Sequence, residues 1–292
     1  MSIIVYADAG SNLFNYILKE KDADIKILPM TLDVNDKSLK LYDDNIDINQ
    51  FAKEFYNEMR KGCKVKTSLV STGLLLEEFK KQTDLGNQVI CFTLSKNISG
   101  TFQSATIASE EVNSSFDKKM IHVVDSMTAG FGEGLQALDA IKDIKEGLSF
   151  EEVCSRADKR VLRIRSEFLV DDAKYLIKTG RVSAIVAKIA SVFGIKVLLN
   201  GSSKGKIEMT GKVHGRMMAI KTLAKVLVEH ITDKNSLVFI SHCDCIEDAE
   251  RLKRFLTDAG ITNIEIHHHD FVTGAHIGPG SIAVFYEGNN RD

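Results

Sequence analysis

Through the first half of the chain, short, mainly apolar runs alternate with longer stretches whose apolar residues recur every three or four positions. Residues 3–6, 25–32, 89–94 and 121–124 form runs of strand length. Residues 13–19, 48–60, 74–82, 101–112 and 129–145 carry the helical spacing. Strands apolar on both faces, with helices between them, predict a mostly parallel sheet covered by helices on both sides.

The pattern restarts in the second half. Ser149 and Glu152 form a capping box that predicts a helix start. Residues 168–170 then open a second α/β unit, with further strands predicted at 237–241, 264–268 and 282–286 and a helix at 217–231. Asp244 with Glu247 predicts another helix start, and Gly260 its end. Residues 184–199 are the most apolar stretch. Lys188 and Lys196 interrupt it and it is too short to cross a bilayer, so it reads as a buried helix followed by a strand. These signals predict an N-terminal α/β domain over 1–160 and a C-terminal α/β domain over 161–292. Only Pro29 and Pro279 occur and there is no linker-like segment, so the two should pack closely.

Composition narrows the function classes. A net charge of −2 with no basic stripe argues against nucleic acid as a partner. Residues 1–8 read as a strand, not as an export leader. Five scattered cysteines, Cys63, Cys91, Cys154, Cys243 and Cys245, fit reduced thiols in the cytoplasm.

The richest candidate chemistry lies in residues 94–105, Leu-Ser-Lys-Asn-Ile-Ser-Gly-Thr-Phe-Gln-Ser-Ala, between a strand and a helix. A helix N-terminus offers unpaired N–H donors, Ser99 and Thr101 add hydroxyls, and Gly100 allows close approach. That suits an anionic oxygen; ordinary helix capping is the alternative. The hydroxyl cluster Thr67-Ser68-Leu69-Val70-Ser71 precedes a predicted helix and has the same alternative. His276 lies in Thr273-Gly-Ala-His-Ile-Gly-Pro-Gly-Ser281, read as a glycine-rich turn between strands, where it could donate to a carboxylate or carry charge near pH 7. Arg181, after a predicted Gly180 helix stop, could clamp a carboxylate or phosphate, or form a surface ion pair. Arg216 is similarly open.

Other constellations are weaker. His267-His268-His269-Asp270 alternates faces along a strand, and His242-Cys243-Asp244-Cys245 is too closely spaced, so no metal site is expected at either. A hydrolase using Ser99 and His276 would lack both the G-x-S-x-G elbow and an evident orienting carboxylate. No phosphate-binding P-loop motif is present.

Taken in order, Thr67-Ser68, the Ser95…Ser99-Gly100-Thr101-Phe102-Gln103-Ser104-Ala105 block, Asp125-Ser126, Gly180-Arg181-Val182-Ser183 and Gly274-Ala275-His276-Ile277-Gly278-Pro279-Gly280 resemble the DegV family over almost the whole chain. The resemblance implies two α/β domains of the EDD type holding a fatty acid between them, with no catalysis and no cofactor. It also implies similarity to the fatty-acid-binding subunit of bacterial fatty acid kinase, whose partner kinase phosphorylates the carboxylate for phospholipid synthesis. On that resemblance, Thr67, Ser99 with Gly100, and His276 match the carboxylate ligands. Arg181 matches part of the surrounding polar network, and Arg216 looks like a residue of partner docking. The expected ligand is a fatty acid of the C14–C18 class, exchanged through transient membrane-surface contact. An acyl-ester hydrolase or a regulator binding a small polar molecule are the alternatives. Three motifs depart from the family pattern: Ala7-Asp8-Ala9 replaces Thr-Asp-Ser, Lys196-Val197 replaces Lys-Pro, and Thr67-Ser68 is not followed by Gln-Pro.

The energetics permit such a ligand. At roughly 0.8 kcal/mol per methylene, about 14 buried methylenes contribute roughly 11 kcal/mol before association costs. An unpaired buried carboxylate would be costly, so hydroxyl and N–H donors are needed at the head.

Overall fold

The computed structural model describes residues 2–39, 46–181 and 194–291. The first sheet contains β1 (Ile3–Asp8), β2 (Ile25–Leu28), β6 (Gln88–Thr93) and β7 (Ile121–Asp125) in the order β2-β1-β6-β7, all parallel. Every residue of β6 is buried, as a central strand covered on both faces requires. Its helices are α1 (Asn15–Glu20), α2 (Ile48–Arg60), α3 (Thr72–Asp84), α4 (Thr101–Asn113), α5 (Phe131–Lys145) and α6 (Phe150–Arg160). The predicted capping box is present at α6: Ser149 accepts from the Glu152 N–H while Glu152 accepts from the Ser149 N–H.

One predicted strand divides in two. The run at 25–32 breaks around Pro29, and Leu32 enters a separate antiparallel sheet of β3 (Leu32–Val34), β4 (Lys37–Leu39) and β5 (Val65–Thr67). Three-residue strands rich in Lys and Asp carry too little periodicity to be read in advance. Their importance is positional, because pairing of Leu32 with Thr67 carries Thr67 to the site.

The second sheet contains β8 (Ile164–Val170), β9 (Ile195–Gly201), β10 (Ile207–His214), β11 (Val238–His242), β12 (Ile264–His268) and β13 (Ile282–Glu287). Its order is β10-β9-β8-β13-β11-β12, antiparallel except for the β11–β12 pair. Its helices are α7 (Lys174–Lys178), α8 (Arg216–His230), α9 (Ile246–Asp258) and α10 (Phe271–Ile277). Asp244 does not cap α9: its backbone is left-handed (φ 56°), and Cys245 is the N-cap, with no side-chain hydrogen bond. Gly260, at φ 87°, does follow the end of α9. The helix expected after residue 184 falls mainly outside the described residues; the strand expected after it is β9.

Alternation along the second sheet separates two cores. Leu169, Leu198 and Val284 pack with Ile220, Leu223, Leu252 and Leu256 of α8 and α9. Phe168, Leu199, Ala283 and Phe285 face the first sheet's core instead. Between the sheets lies α5, in contact with β1 on one side and with β8 and β13 on the other. Because α5 is covered on several sides, it has no broad solvent face; even Glu133, Gln136 and Asp143 are buried.

Candidate functional site

A cavity of about 230 Å³ lies between the inner faces of the two sheets. Thr67, Ser99, Gly100, Arg181 and His276 all line it, although they come from four separate stretches of chain. Most remaining walls are apolar, among them Met30, Leu94, Ile98, Phe168, Val272 and Phe285.

Each polar side chain arrives by a different route. Thr67 ends the edge strand β5. Ser99 and Gly100 close the loop after β6, with Gly100 as N-cap of α4. The Ser99 hydroxyl accepts from the Thr101 N–H at 3.3 Å and lies 3.1 Å from the Thr101 hydroxyl. It therefore helps cap the helix while lining the cavity, so capping and ligand contact are compatible roles for this residue. Thr67 and Ser68 do not cap α3; Ser71 does, accepting from the Leu74 N–H.

His276 departs from the sequence expectation. It sits in α10, not in an open turn, and Asp270 caps that helix by accepting from the Thr273 N–H at 2.7 Å. Glycine-rich composition concealed the helix, since glycine is a poor helix former. Its Nε2 lies 3.0 Å from the Thr67 hydroxyl, across 209 residues of sequence. Burial, aided by the positive charge of Arg181, pulls the imidazole down to about 4, so His276 is neutral near pH 7. Its buried Nδ1 has no hydrogen-bond partner among the described residues. A neutral imidazole bonded to a hydroxyl can still supply a donor: whichever tautomer forms, either the Thr67 proton or the imidazole Nδ1 proton remains to be used.

Arg181 is exposed and its guanidinium donates to the Thr179 carbonyl. Arg216 lies elsewhere: it donates to Asp248 at 2.9 Å and to the Gly280 carbonyl at 2.5 Å, and does not line the cavity. The three consecutive histidines also separate. His267 meets Tyr16 and Glu265, His268 meets Asn49, and His269 lies between Ser241 and Thr273. No group of three or more His, Cys, Asp or Glu among the described residues is arranged to hold a metal ion.

Asp8 is a supporting residue whose geometry the sequence did not disclose. Fully buried, its carboxylate accepts from the Gly10 N–H at 2.8 Å and the Leu94 N–H at 2.9 Å, tying together the loops after β1 and β6. Glu133 accepts from the Asp8 N–H, and burial pushes the carboxyls of both residues upward, Asp8 to about 6. Ala7 and Ala9, which stand where the family pattern has hydroxyls, are completely buried. The opposite wall is fixed by the turn between β9 and β10: Ser95 donates to the Gly205 carbonyl at 2.7 Å, and Asn97 to that of Lys204 at 2.6 Å. Sequence reasoning also missed Thr128, Ser166, His269 and Thr273 as cavity residues. An isolated serine in a strand carries no signal of which way it will face.

Comparison with known proteins agrees with this architecture. The model of the DegV family, described as uncharacterised, matches residues 2–289. A DegV domain-containing protein of Clostridium perfringens, CPE0026, is 31% identical over 291 residues, covering 99% of this chain and 98% of its own. The solved structure of TM841 from Thermotoga maritima, a hypothetical protein reported to reveal fatty acid binding function, is 25% identical, with a TM-score of 0.82 and 99% of each chain covered. A DegV family protein from Eubacterium eligens loaded with heptadecanoic acid shares the fold, with a TM-score of 0.83 at 21% identity, covering 99% of this chain and 100% of that one. Matched in sequence along nearly its whole length, the chain belongs to the DegV family.

Proposed function

We propose that this protein binds one long-chain fatty acid of the C14–C18 class and presents its carboxylate to a separate fatty acid kinase. One observation carries the reading: Thr67, Ser99, Gly100, Arg181 and His276 gather on a cavity whose other walls are mainly apolar. In this reading the tail supplies affinity by leaving water, and the hydroxyls, the N–H groups at the start of α4 and the neutral His276 orient the head. Arg181 adds positive charge. The fatty acid binding reported for the Thermotoga maritima structure supports the assignment.

The protein itself is read as a carrier without turnover or cofactor, divided functionally into carboxylate-binding loops within 1–160 and a closing unit within 161–292. A Ser–His hydrolase is not favoured. The described partner of His276 Nε2 is Thr67, and Ser99 bonds to Thr101, so the Ser99–His276 pair that such a hydrolase would use is not formed. Arg216, beside the exposed Met217 and Met218, is the proposed kinase contact, where a long basic side chain and soft apolar neighbours suit a protein surface. No helix among the described residues is long and apolar enough to cross a membrane. Lipid exchange by transient membrane-surface contact, in the cytoplasm, belongs to the same proposal.

Mass spectrometry of the purified protein, native and then after organic extraction, tests the binding class. A near-stoichiometric C14–C18 acid is expected. A clean apo mass, with no uptake after incubation with such acids, would refute the proposal.

A further inference from the structure

The cavity contains a second polar position that the head-group reading does not use. Ser166 on β8 and Thr128, in the loop before α5, both line it and are nearly inaccessible to solvent. Their hydroxyls meet at 3.1 Å, Thr128 donating to Ser166. Around them are the apolar walls: Phe168 shares the inner face of β8, with Ala283 and Phe285 opposite on β13. The next strand leaves room for them. Gly201 lies beside Ser166, and a Cβ there would stand 2.7 Å from the Ser166 oxygen.

The bonding is incomplete in one direction. Thr128 has one proton, directed at Ser166 and, more distantly, at the Ala129 carbonyl at 3.5 Å, while the Ser166 proton has no acceptor among the described residues. Nearby His269 cannot supply one, because both ring nitrogens are engaged by Ser241 and Thr273. Behind Gly201 the terminal nitrogens of Arg291 donate to the carbonyls of Met127, Val161, Gly201 and Ser202, while its buried Nε has no partner among the described residues; Arg291 does not line the cavity. The Ser166–Thr128 pair therefore offers one hydroxyl donor and hydroxyl lone pairs, and itself carries no charge. That suits a neutral oxygen rather than a second carboxylate.

Its location is along the tail. β8 runs from Ser166 to Val170 and on to Asp171, whose side chain approaches Gly280 just beyond α10, the helix that carries His276. Asp171 lies five residue steps beyond Ser166, roughly 16 Å along an extended strand.

We infer that the cavity accepts fatty acids bearing a mid-chain hydroxyl or keto oxygen, held by Ser166 and Thr128. This rests on the fatty-acid reading above. The test compares stearic acid with mono-hydroxystearic acids hydroxylated at successive mid-chain carbons, in wild type, Ser166→Ala and Thr128→Val. In wild type, at least one hydroxy acid should bind as tightly as stearic acid or tighter. Ser166→Ala should shift the affinity ratio about tenfold toward stearic acid, and Thr128→Val should shift it the same way, whatever either does to stearic acid binding itself. An unchanged ratio in both variants, or wild-type rejection of every hydroxy acid while stearic acid binds, overturns this inference alone. Failure of wild type to bind any of the acids overturns the fatty-acid reading and this inference with it.

Discussion

Replacing Thr67 with valine removes one hydroxyl and keeps the branched shape that suits strand β5. Among the described residues that hydroxyl is the partner of His276 Nε2, at 3.0 Å, and Nδ1 has none. Thr67→Val therefore leaves a buried imidazole with no partner among them at either nitrogen, at a cost of about 1–3 kcal/mol in stability. In the complex, the hydroxyl network would also donate to a charged carboxylate, and such bonds contribute about 1.5–3 kcal/mol. At about 1.4 kcal/mol per tenfold, fatty-acid affinity should fall about 10- to 150-fold. Displacement of a fluorescent fatty acid measures this against a quiet background, since the chain has no tryptophan. A fatty alcohol of the same length is the internal control: its tail is identical but it lacks the negative charge, so its affinity should fall far less. Equal affinity of Thr67→Val and wild type for the acid, or equal losses for acid and alcohol, would refute the placement of the carboxylate beside Thr67 and His276.

Three further outcomes follow from the same geometry. Ser99→Ala should retain the fold while lipid-exchange assays show faster loss of fatty acid; unchanged retention would remove Ser99 from the head-group site. For His276→Ala, phosphorylation of bound acid by a cognate kinase should fall more than acid binding itself, and unaffected phosphorylation would exclude the presenting role. Burial pushes the Asp270 carboxyl up to about 7, so the folded protein holds that proton more tightly than the unfolded chain and this group's contribution to stability declines as pH rises from about 4 to 7. Asp270→Asn keeps a good N-cap and removes the titration, so its melting temperature relative to wild type should climb between pH 5 and 8. A difference independent of pH would count against a raised Asp270.

Local chemistry made much of this protein legible from its residues alone. Apolar runs marked β1 and β6, because a strand covered on both faces must be largely apolar. Ser149 with Glu152 marked the start of α6, because two orphan backbone donors and their acceptors lie within four consecutive residues. Motif order pointed to Thr67, Ser99, Gly100, Arg181 and His276, and these five residues do line one cavity. The sequence could not show how they meet. The 3.0 Å approach of Thr67 to His276 depends on a three-residue edge strand and a glycine-containing helix, both too short and atypical to leave a periodic trace. Nor could it give the protonation state of His276. Neutrality near pH 7 comes from desolvation and from Arg181, 95 positions earlier in the chain, so it exists only once the two halves have closed over the cavity. Ser166 and Thr128 mark the same limit: a hydroxyl in a strand or loop is ordinary in sequence, and only packing decides whether it faces solvent, core or ligand space. Secondary structure follows from interactions a few residues long, whereas burial, charge state and cavity shape are set by contacts between segments far apart in the chain.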